Sequence, residues 1–255
     1  NSLVAIDVNN GETRWHYQQV PHDLWGYDVA STSVLFEHIA NGKKVPAIAI
    51  SGKTGWVYVH NRVNGELLYK SEPVVPQSNL FAAPTEKGVL ASPGSFGGVS
   101  WSPTSFDQSS GLFYVAGIHK PSRYFLRHGE YEGQRTPYIE YGLAKDQPNW
   151  GTLTALDLRN AGKIKWQVKT DLPLIGGVLA TAGNLLFVGG GDGMFNAHRA
   201  SDGKHLWQFN CGAGVNAPPV SYKIGDKQYI GVAAGGHFLM GYSGGDAFIA
   251  FGLAD

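Results

Sequence analysis

The sequence predicts an all-β protein, and its repeats predict that the sheets are blades of a β-propeller. Three observations support this fold. Of 255 residues, 35 are glycine and 12% are aromatic, a composition typical of many short strands joined by tight turns. A strand–turn–strand pattern recurs with spacings that fit blades of about 40 to 50 residues. Periodic helical patterns are weak and are interrupted by proline and glycine.

The repeated unit is a hairpin that contains a small or β-branched residue, a turn glycine and an aromatic residue four positions after that glycine. Its four copies are Ala5, Gly11 and Trp15; Val59, Gly65 and Tyr69; Ala155, Gly162 and Trp166; and Ala197, Gly203 and Trp207. The aromatic residues are spaced by 54, 97 and 41 residues. We therefore expect the middle interval to hold two units, one of them without the motif. A generic aromatic core would not require this spacing four times.

Between the repeats, residues 118–148 interrupt the pattern, and we expect an excursion loop within a single propeller region that spans residues 1–255. The formal net charge is zero, which argues against nucleic-acid binding. Cys211 is the only cysteine, so an intrachain disulfide and a zinc–cysteine cluster are excluded. The sequence contains no apolar run long enough to span a membrane. It begins inside a strand pattern without a signal peptide, so we expect a fragment or a processed chain.

The repeat A-x-D-x-x-x-G-x-x-x-W resembles the tryptophan-docking repeat of the quinoprotein dehydrogenases, including the alcohol and membrane-type glucose dehydrogenases. Three stretches strengthen this resemblance: TRWHYQQVPHDLWGYD, SGKTGWVYVHNRVNGEL and IGGVLATAGNLLFVGGGDGMFNAHRASDGKHLWQF. The resemblance implies an eight-bladed propeller that binds pyrroloquinoline quinone (PQQ) and Ca²⁺ or a lanthanide. It also implies an alcohol or sugar substrate and a periplasmic or extracellular location.

About four blades are visible in this chain, which corresponds to the C-terminal half of such a propeller. Half a propeller would leave two apolar blade faces uncovered. We therefore expect a companion chain, or a second copy of this chain, to complete the propeller. The remaining metal ligands would also come from outside this chain.

The resemblance assigns its most specific roles to Lys53 and to the loop that contains Gly26. Lys53 is expected beside the quinone oxygens, although an ordinary solvated turn lysine is the common alternative. The family pattern has a catalytic aspartate where this chain has Gly26, which cannot accept a proton. Three interpretations follow: Asp28 takes over as base or metal ligand, the chemistry is lost and a binding module remains, or the residue is misread or engineered.

Other candidates are weaker. His22 and Asp23 could form a base with its orienting group, but we favour a loop brace in which Asp23 caps backbone N–H groups. Asp23 is therefore the second candidate acid after Asp28. The resemblance also places a further set of residues near the cofactor: Ser100, Trp101, Asn149, Trp150 and Ile175. The alternative function is a non-catalytic propeller scaffold, which would tolerate Gly26.

Overall fold

The computed structural model describes residues 1–40 and 42–253, with the side chain of Ala40 left out. In this part of the chain the elements are twenty β-strands and two short 3-10 helices, Leu158–Asn160 and Phe238–Met240. The all-β prediction is therefore confirmed. The strands are β1 (Ser2–Ile6), β2 (Thr13–Gln18), β3 (Val34–Ala40), β4 (Lys43–Ser51), β5 (Val57–Asn61), β6 (Leu67–Lys70), β7 (Val89–Ala91), β8 (Ser105–Asp107), β9 (Leu112–His119), β10 (Ser122–Tyr131), β11 (Gln134–Leu143), β12 (Trp150–Asp157), β13 (Lys163–Thr170), β14 (Val178–Thr181), β15 (Leu185–Gly189), β16 (Met194–Arg199), β17 (His205–Asn210), β18 (Val220–Ile224), β19 (Lys227–Ala234) and β20 (Ala247–Gly252).

The strands form antiparallel sheets of the kind expected for propeller blades. Three of the described sheets have four strands: β3-β4-β5-β6, β8-β9-β12-β13 and β14-β15-β16-β17. The two-stranded sheet β1-β2 precedes them in the chain, and the three-stranded sheet β18-β19-β20 follows them. This arrangement agrees with the expected total of about four blades.

The prediction of two units between Tyr69 and Trp166 is wrong. The interval contains one four-stranded blade, β8-β9-β12-β13, together with a smaller sheet in which β10 pairs with both β7 and β11. The hairpin β10–β11 is inserted between the second and third strands of that blade. It therefore lengthens the spacing between aromatic residues without adding a blade. The expected excursion over residues 118–148 largely consists of this regular hairpin.

The hydrophobic core lies between neighbouring blades. Strand β9 shows why, because its sequence LFYVAGIH is apolar on both faces. Phe113 and Val115 pack with residues of β4 and β5, whereas Tyr114 and Ala116 pack with residues of β14 and β15. Successive side chains of a strand point to opposite faces, so one apolar run serves two interfaces.

The aromatic residue of each repeat joins its own blade to the next one. Trp15 lies directly opposite Ala5 in its hairpin and covers Gly65 of the following blade. A Cβ at Gly65 would lie 2.6 Å from the indole ring, so only glycine allows this contact. Trp15 Nε1 also donates a 3.0 Å hydrogen bond to the carbonyl of Arg62, three residues before that glycine.

The same contact recurs along the chain. Trp166 covers Gly203 and donates through Nε1 to the Ala200 carbonyl at 3.0 Å. The Tyr69 hydroxyl donates to the Leu158 carbonyl at 2.8 Å. A register shift after the small residue of each repeat marks a β-bulge before the turn. The docking repeat inferred from sequence is thus a physical link between successive blades.

The two ends of this series differ from its middle. Gly11 has the same left-handed backbone as the docking glycines, with φ +74°, yet no described atom beyond its chain neighbours lies within 4 Å of a Cβ built there. At the other end, Trp207 is 40% exposed. The first docking glycine and the last docking tryptophan are therefore less covered than their counterparts in the interior.

Candidate functional site

The loop between β2 and β3 contains the PHDLWGYD stretch and is held by several hydrogen bonds. Asp23 Oδ1 accepts from the Trp25 backbone N–H at 2.9 Å, so Asp23 braces its own loop. Trp25 Nε1 donates to the Ala82 carbonyl at 2.8 Å, and the Tyr124 hydroxyl donates to the Trp25 carbonyl at 3.0 Å. Burial raises the pKa values of the Tyr27 and Tyr124 phenols, which therefore remain neutral at ordinary pH. One carboxylate oxygen of Asp23 is thus engaged within its own loop, and a role of Asp23 as base stays a prediction.

Gly26 lies in this loop with φ +70°, in the left-handed region. A Cβ at this position would meet only the Cβ of Ser95, at 3.8 Å, which is an ordinary contact distance. Packing therefore does not require glycine here, and the remaining cost of a side chain is the backbone conformation.

Lys53 and Asp28 are brought together, although 25 residues separate them in sequence. Lys53 Nζ donates to Asp28 Oδ2 at 2.6 Å, and the Lys53 backbone N–H donates to the Asp28 carbonyl at 3.0 Å. The lysine side chain is only 14% exposed, whereas the aspartate side chain is 57% exposed. Lys53 is therefore not a solvated turn lysine, and its ammonium is held by a carboxylate that remains open to solvent.

Ser100 and Trp101 belong to a segment that packs against the Lys53 turn. The Val99 N–H donates to the Gly52 carbonyl at 3.0 Å, which fixes this segment against the turn. The next residue, Ser100, is buried, whereas Trp101 is 46% exposed. Trp101 stacks on His237, with ring centroids 5.6 Å apart and planes at 12°.

Two buried polar nitrogen atoms were not assigned by the sequence interpretation, and one of them belongs to the ring that stacks on Trp101. His237 Nδ1 and Asn216 Nδ2 are buried and lack a hydrogen-bond partner in the described part of the chain. Buried polar atoms are usually paired, so unpaired ones mark places where a ligand or solvent is expected. His237 is 136 residues from Trp101 in the chain, so no local motif could have linked the two rings.

Near His237 lies the half-buried amine of Lys120, which the sequence did not identify as a site residue. Its Nζ lies 3.4 Å from the sulfur of Met240, which belongs to the 3-10 helix just after His237. Burial lowers the pKa of the Lys120 amine. This amine is therefore less firmly charged than an exposed lysine.

The remaining predicted residues occupy different surroundings. Asn149 is exposed, and Trp150 packs against His119 at a centroid distance of 4.6 Å while Lys169 Nζ lies 4.5 Å above its ring. The Ile175 side chain is buried, and its carbonyl accepts a 2.8 Å hydrogen bond from the Ser102 hydroxyl. Ile175 is thus connected to the Trp101 segment by this hydrogen bond.

The sequence of this chain matches the model of one known protein family. The model of the family described as "PQQ: Glucose/ethanol/alcohol dehydrogenase, beta-propeller domain" matches residues 1–80 and 74–230. The chain belongs to this family. The match includes both the Gly26 loop and the Lys53 turn, so the family resemblance inferred from the repeats is confirmed.

Individual relatives of this PQQ family agree. A quinoprotein ethanol dehydrogenase of Pseudomonas aeruginosa is 35% identical over 95% of this chain, which spans 43% of that protein. The solved quinohemoprotein alcohol dehydrogenase of Pseudomonas putida superposes with a TM-score of 0.81 at 30% identity, covering 92% of this chain and 38% of that one. A europium-containing methanol dehydrogenase gives a TM-score of 0.79 at 28% identity, covering 92% and 44%. The chain therefore spans less than half the length of these relatives.

Metal ligands are sparse in this member of the PQQ family. No group of three or more His, Cys, Asp or Glu residues within residues 1–40 and 42–253 is placed to hold a metal ion. Of the predicted site residues, Asp28 offers an exposed carboxylate. No helix in the described part of the chain is long and apolar enough to cross a membrane.

Proposed function

We propose that the protein containing this chain oxidises a hydroxyl group of an alcohol or sugar with PQQ as the hydride acceptor. The observation that carries this proposal is Lys53, a largely buried cation fixed in a rigid turn within a chain of the PQQ family. A positive charge at this point stabilises negative charge that develops on a nearby oxygen. The substrate would belong to the alcohol or sugar class, and the site of action would be the periplasm or the cell exterior.

The residues around Trp101 suit a flat molecule that carries several oxygen atoms. The half-exposed indole ring offers a stacking surface. His237, which stacks on this ring, has a buried Nδ1 with no hydrogen-bond partner among the described residues, so a polar contact is missing there. PQQ has this character, and when bound it supplies the two-electron redox chemistry. Lys53, Trp101 and His237 would bind and orient it, and Ser100, Asn149, Trp150 and Ile175 stay predicted contacts.

The base and the metal are the incomplete parts of the site. Gly26 has no group that accepts a proton, so the proton of the substrate hydroxyl must go to another residue. Asp28 is the exposed carboxylate next to this position in the chain, and it is our candidate for base or for ligand of Ca²⁺ or a lanthanide. Further oxygen ligands would come from outside this chain.

A partner that completes the propeller is part of the proposal. Gly11 lies uncovered at the first end of the docking series, where the ring of a preceding blade would be expected. The partner is either a companion polypeptide that carries the other blades or a second copy of this chain.

The proposal is tested by titrating the native protein that contains this chain with PQQ, with and without Ca²⁺, while following the quinone absorbance and the reduction of an acceptor dye. We expect stoichiometric binding that Lys53→Gln weakens by about tenfold or more, since a charge-assisted hydrogen bond is lost. Lys70→Gln serves as the control, because Lys70 packs over Trp56 rather than beside Asp28. Absence of quinone binding by the native assembly would contradict the proposal.

Gly26 supports a second candidate, a propeller that binds without catalysis. The two candidates separate in the variant Gly26→Asp, because a Cβ at this position would meet only Ser95, at an ordinary contact distance. If the acid is missing from an otherwise intact site, the variant gains dye reduction. If the wild-type protein is already fully active, Asp28 or another group performs the role. If neither protein binds PQQ, the non-catalytic candidate is favoured.

A further inference from the structure

The turn that carries Lys53 is fixed at its backbone from several sides. The Lys53 backbone N–H donates to the Asp28 carbonyl at 3.0 Å. The neighbouring Gly52 carbonyl accepts from the Val99 N–H, also at 3.0 Å. Gly98 approaches so closely that a Cβ there would overlap the Lys53 carbonyl. The backbone of Lys53 therefore has little freedom, and the direction of its ammonium group depends on side-chain contacts.

Asp28 provides that contact. Across residues 1–40 and 42–253, the hydrogen-bond acceptor found for the Lys53 ammonium is Asp28 Oδ2, at 2.6 Å. An ammonium group has three donors, so two remain for a ligand. Gly26 adds no competing carboxylate to the loop. Backbone and side chain of Asp28 thus both hold the same lysine, one at each end.

We infer that Asp28 is a positioning residue for Lys53. Its carboxylate holds the ammonium in one orientation, so that the two remaining N–H donors meet the oxygen atoms of a ligand without reordering a long side chain. The identity of that ligand rests on the proposed function, but the pairing itself does not. This role differs from those of base and metal ligand, because Asp28 acts through Lys53.

The pairing is tested without cofactor by measuring how fast each lysine of the native protein reacts with a soluble amine-acylating reagent, using peptide mass spectrometry. In the wild-type protein Lys53 should react slowly. In Asp28→Asn its rate should rise about fivefold, because the neutral amide no longer holds the ammonium. Asp28→Glu keeps the charge and should retain most of the protection. The exposed Lys70 serves as an internal reference whose rate should not change.

A matched control is Asp146→Asn. Asp146 accepts from Arg123 at the same distance, 2.6 Å, and its side chain is equally exposed at 57%. This variant should leave the Lys53 rate unchanged. An unchanged Lys53 rate in Asp28→Asn would overturn the inference. If that variant does not fold, the wild-type protein in low and high salt gives the same test, since salt weakens a partly exposed ion pair. A Lys53 rate that does not rise with salt would then overturn it.

Two additions separate this role from the alternatives. If Ca²⁺ or La³⁺ alone accelerates Lys53 acylation, the carboxylate prefers the metal and the positioning role is wrong. If, without added metal, Asp28→Asn weakens PQQ binding while Asp28→Glu restores it, the positioning role extends to the cofactor. If no protein binds PQQ but Lys53 still depends on Asp28, the proposed function fails and the pairing stands.

Discussion

Two glycines with nearly the same backbone conformation play different parts in this molecule. Gly65 has φ +78° and Gly26 has φ +70°. A Cβ at Gly65 would lie 2.6 Å from the ring of Trp15, whereas one at Gly26 would meet only Ser95 at 3.8 Å. Glycine is therefore required by packing between the blades but not in the site loop. At position 26 the constraint that favours glycine is the left-handed backbone and not a close neighbour.

The largest effect is expected when a docking glycine is replaced. Gly203→Ala would bring a Cβ to 2.6 Å from the Trp166 ring while also forcing a left-handed backbone. We expect the free energy of unfolding to fall by about 4 kcal/mol, because overpacking and backbone strain add. Chemical denaturation measures this, and Gly11→Ala, which meets no atom within 4 Å, should cost only about 1 kcal/mol. Equal costs for the two variants would contradict the docking interpretation.

Removing the docking ring should have the next largest effect. Trp166→Ala deletes a ring that covers Gly203 and donates to the Ala200 carbonyl, so we expect a loss of about 3 kcal/mol. Trp207 has the same position in its own repeat but is 40% exposed, so Trp207→Ala should cost less, about 2 kcal/mol on this chain alone. If a partner covers this face, the cost of Trp207→Ala should increase in the complex. The same denaturation experiment, with and without the partner, gives both values.

A smaller effect is expected in the site loop. Gly26→Ala introduces left-handed strain but no clash, so stability should fall by about 1 kcal/mol. The matched comparison is Gly65→Ala, which has the strain and the clash together. A loss of stability at Gly26 as large as that at Gly65 would show that packing in the site loop also requires glycine.

The smallest effect concerns pH. His60 and His198 are buried in equivalent positions, and their Nδ1 atoms lie 3.0 and 3.1 Å from the carbonyls of the docking residues Gly65 and Gly203. Burial lowers the pKa of both imidazoles, so the unfolded chain binds protons more readily than the folded one. Stability is therefore full above the ordinary value of 6.5 and declines as pH falls through the lowered folded values.

The third repeat offers a control for this pH dependence. Leu156 follows the small residue of its repeat, as His60 and His198 do in theirs. His198→Leu should therefore flatten the dependence of stability on pH between 7 and 5, measured by denaturation at each pH. An unchanged slope would show that other groups dominate it.

Several features of the fold were predictable because they arise from local spacing. The distance from Gly203 to Trp207 along the chain places a glycine in a turn and an aromatic residue opposite Ala197. The same logic gave the hairpins of the other repeats. The extra unit between Tyr69 and Trp166 was a wrong prediction, because spacing along the chain does not distinguish a blade from the inserted hairpin β10–β11.

The sequence by itself determined the all-β class, the docking repeat and the family, since each depends on residue types at fixed spacing. Only the tertiary structure placed Lys53 against Asp28 and Trp101 against His237, because these contacts join segments that are far apart in the chain. Tertiary structure also distinguished the two kinds of glycine. A positive φ is a local property, but a Cβ would overlap a ring of another blade at Gly65, whereas at Gly26 it would only reach ordinary contact with Ser95.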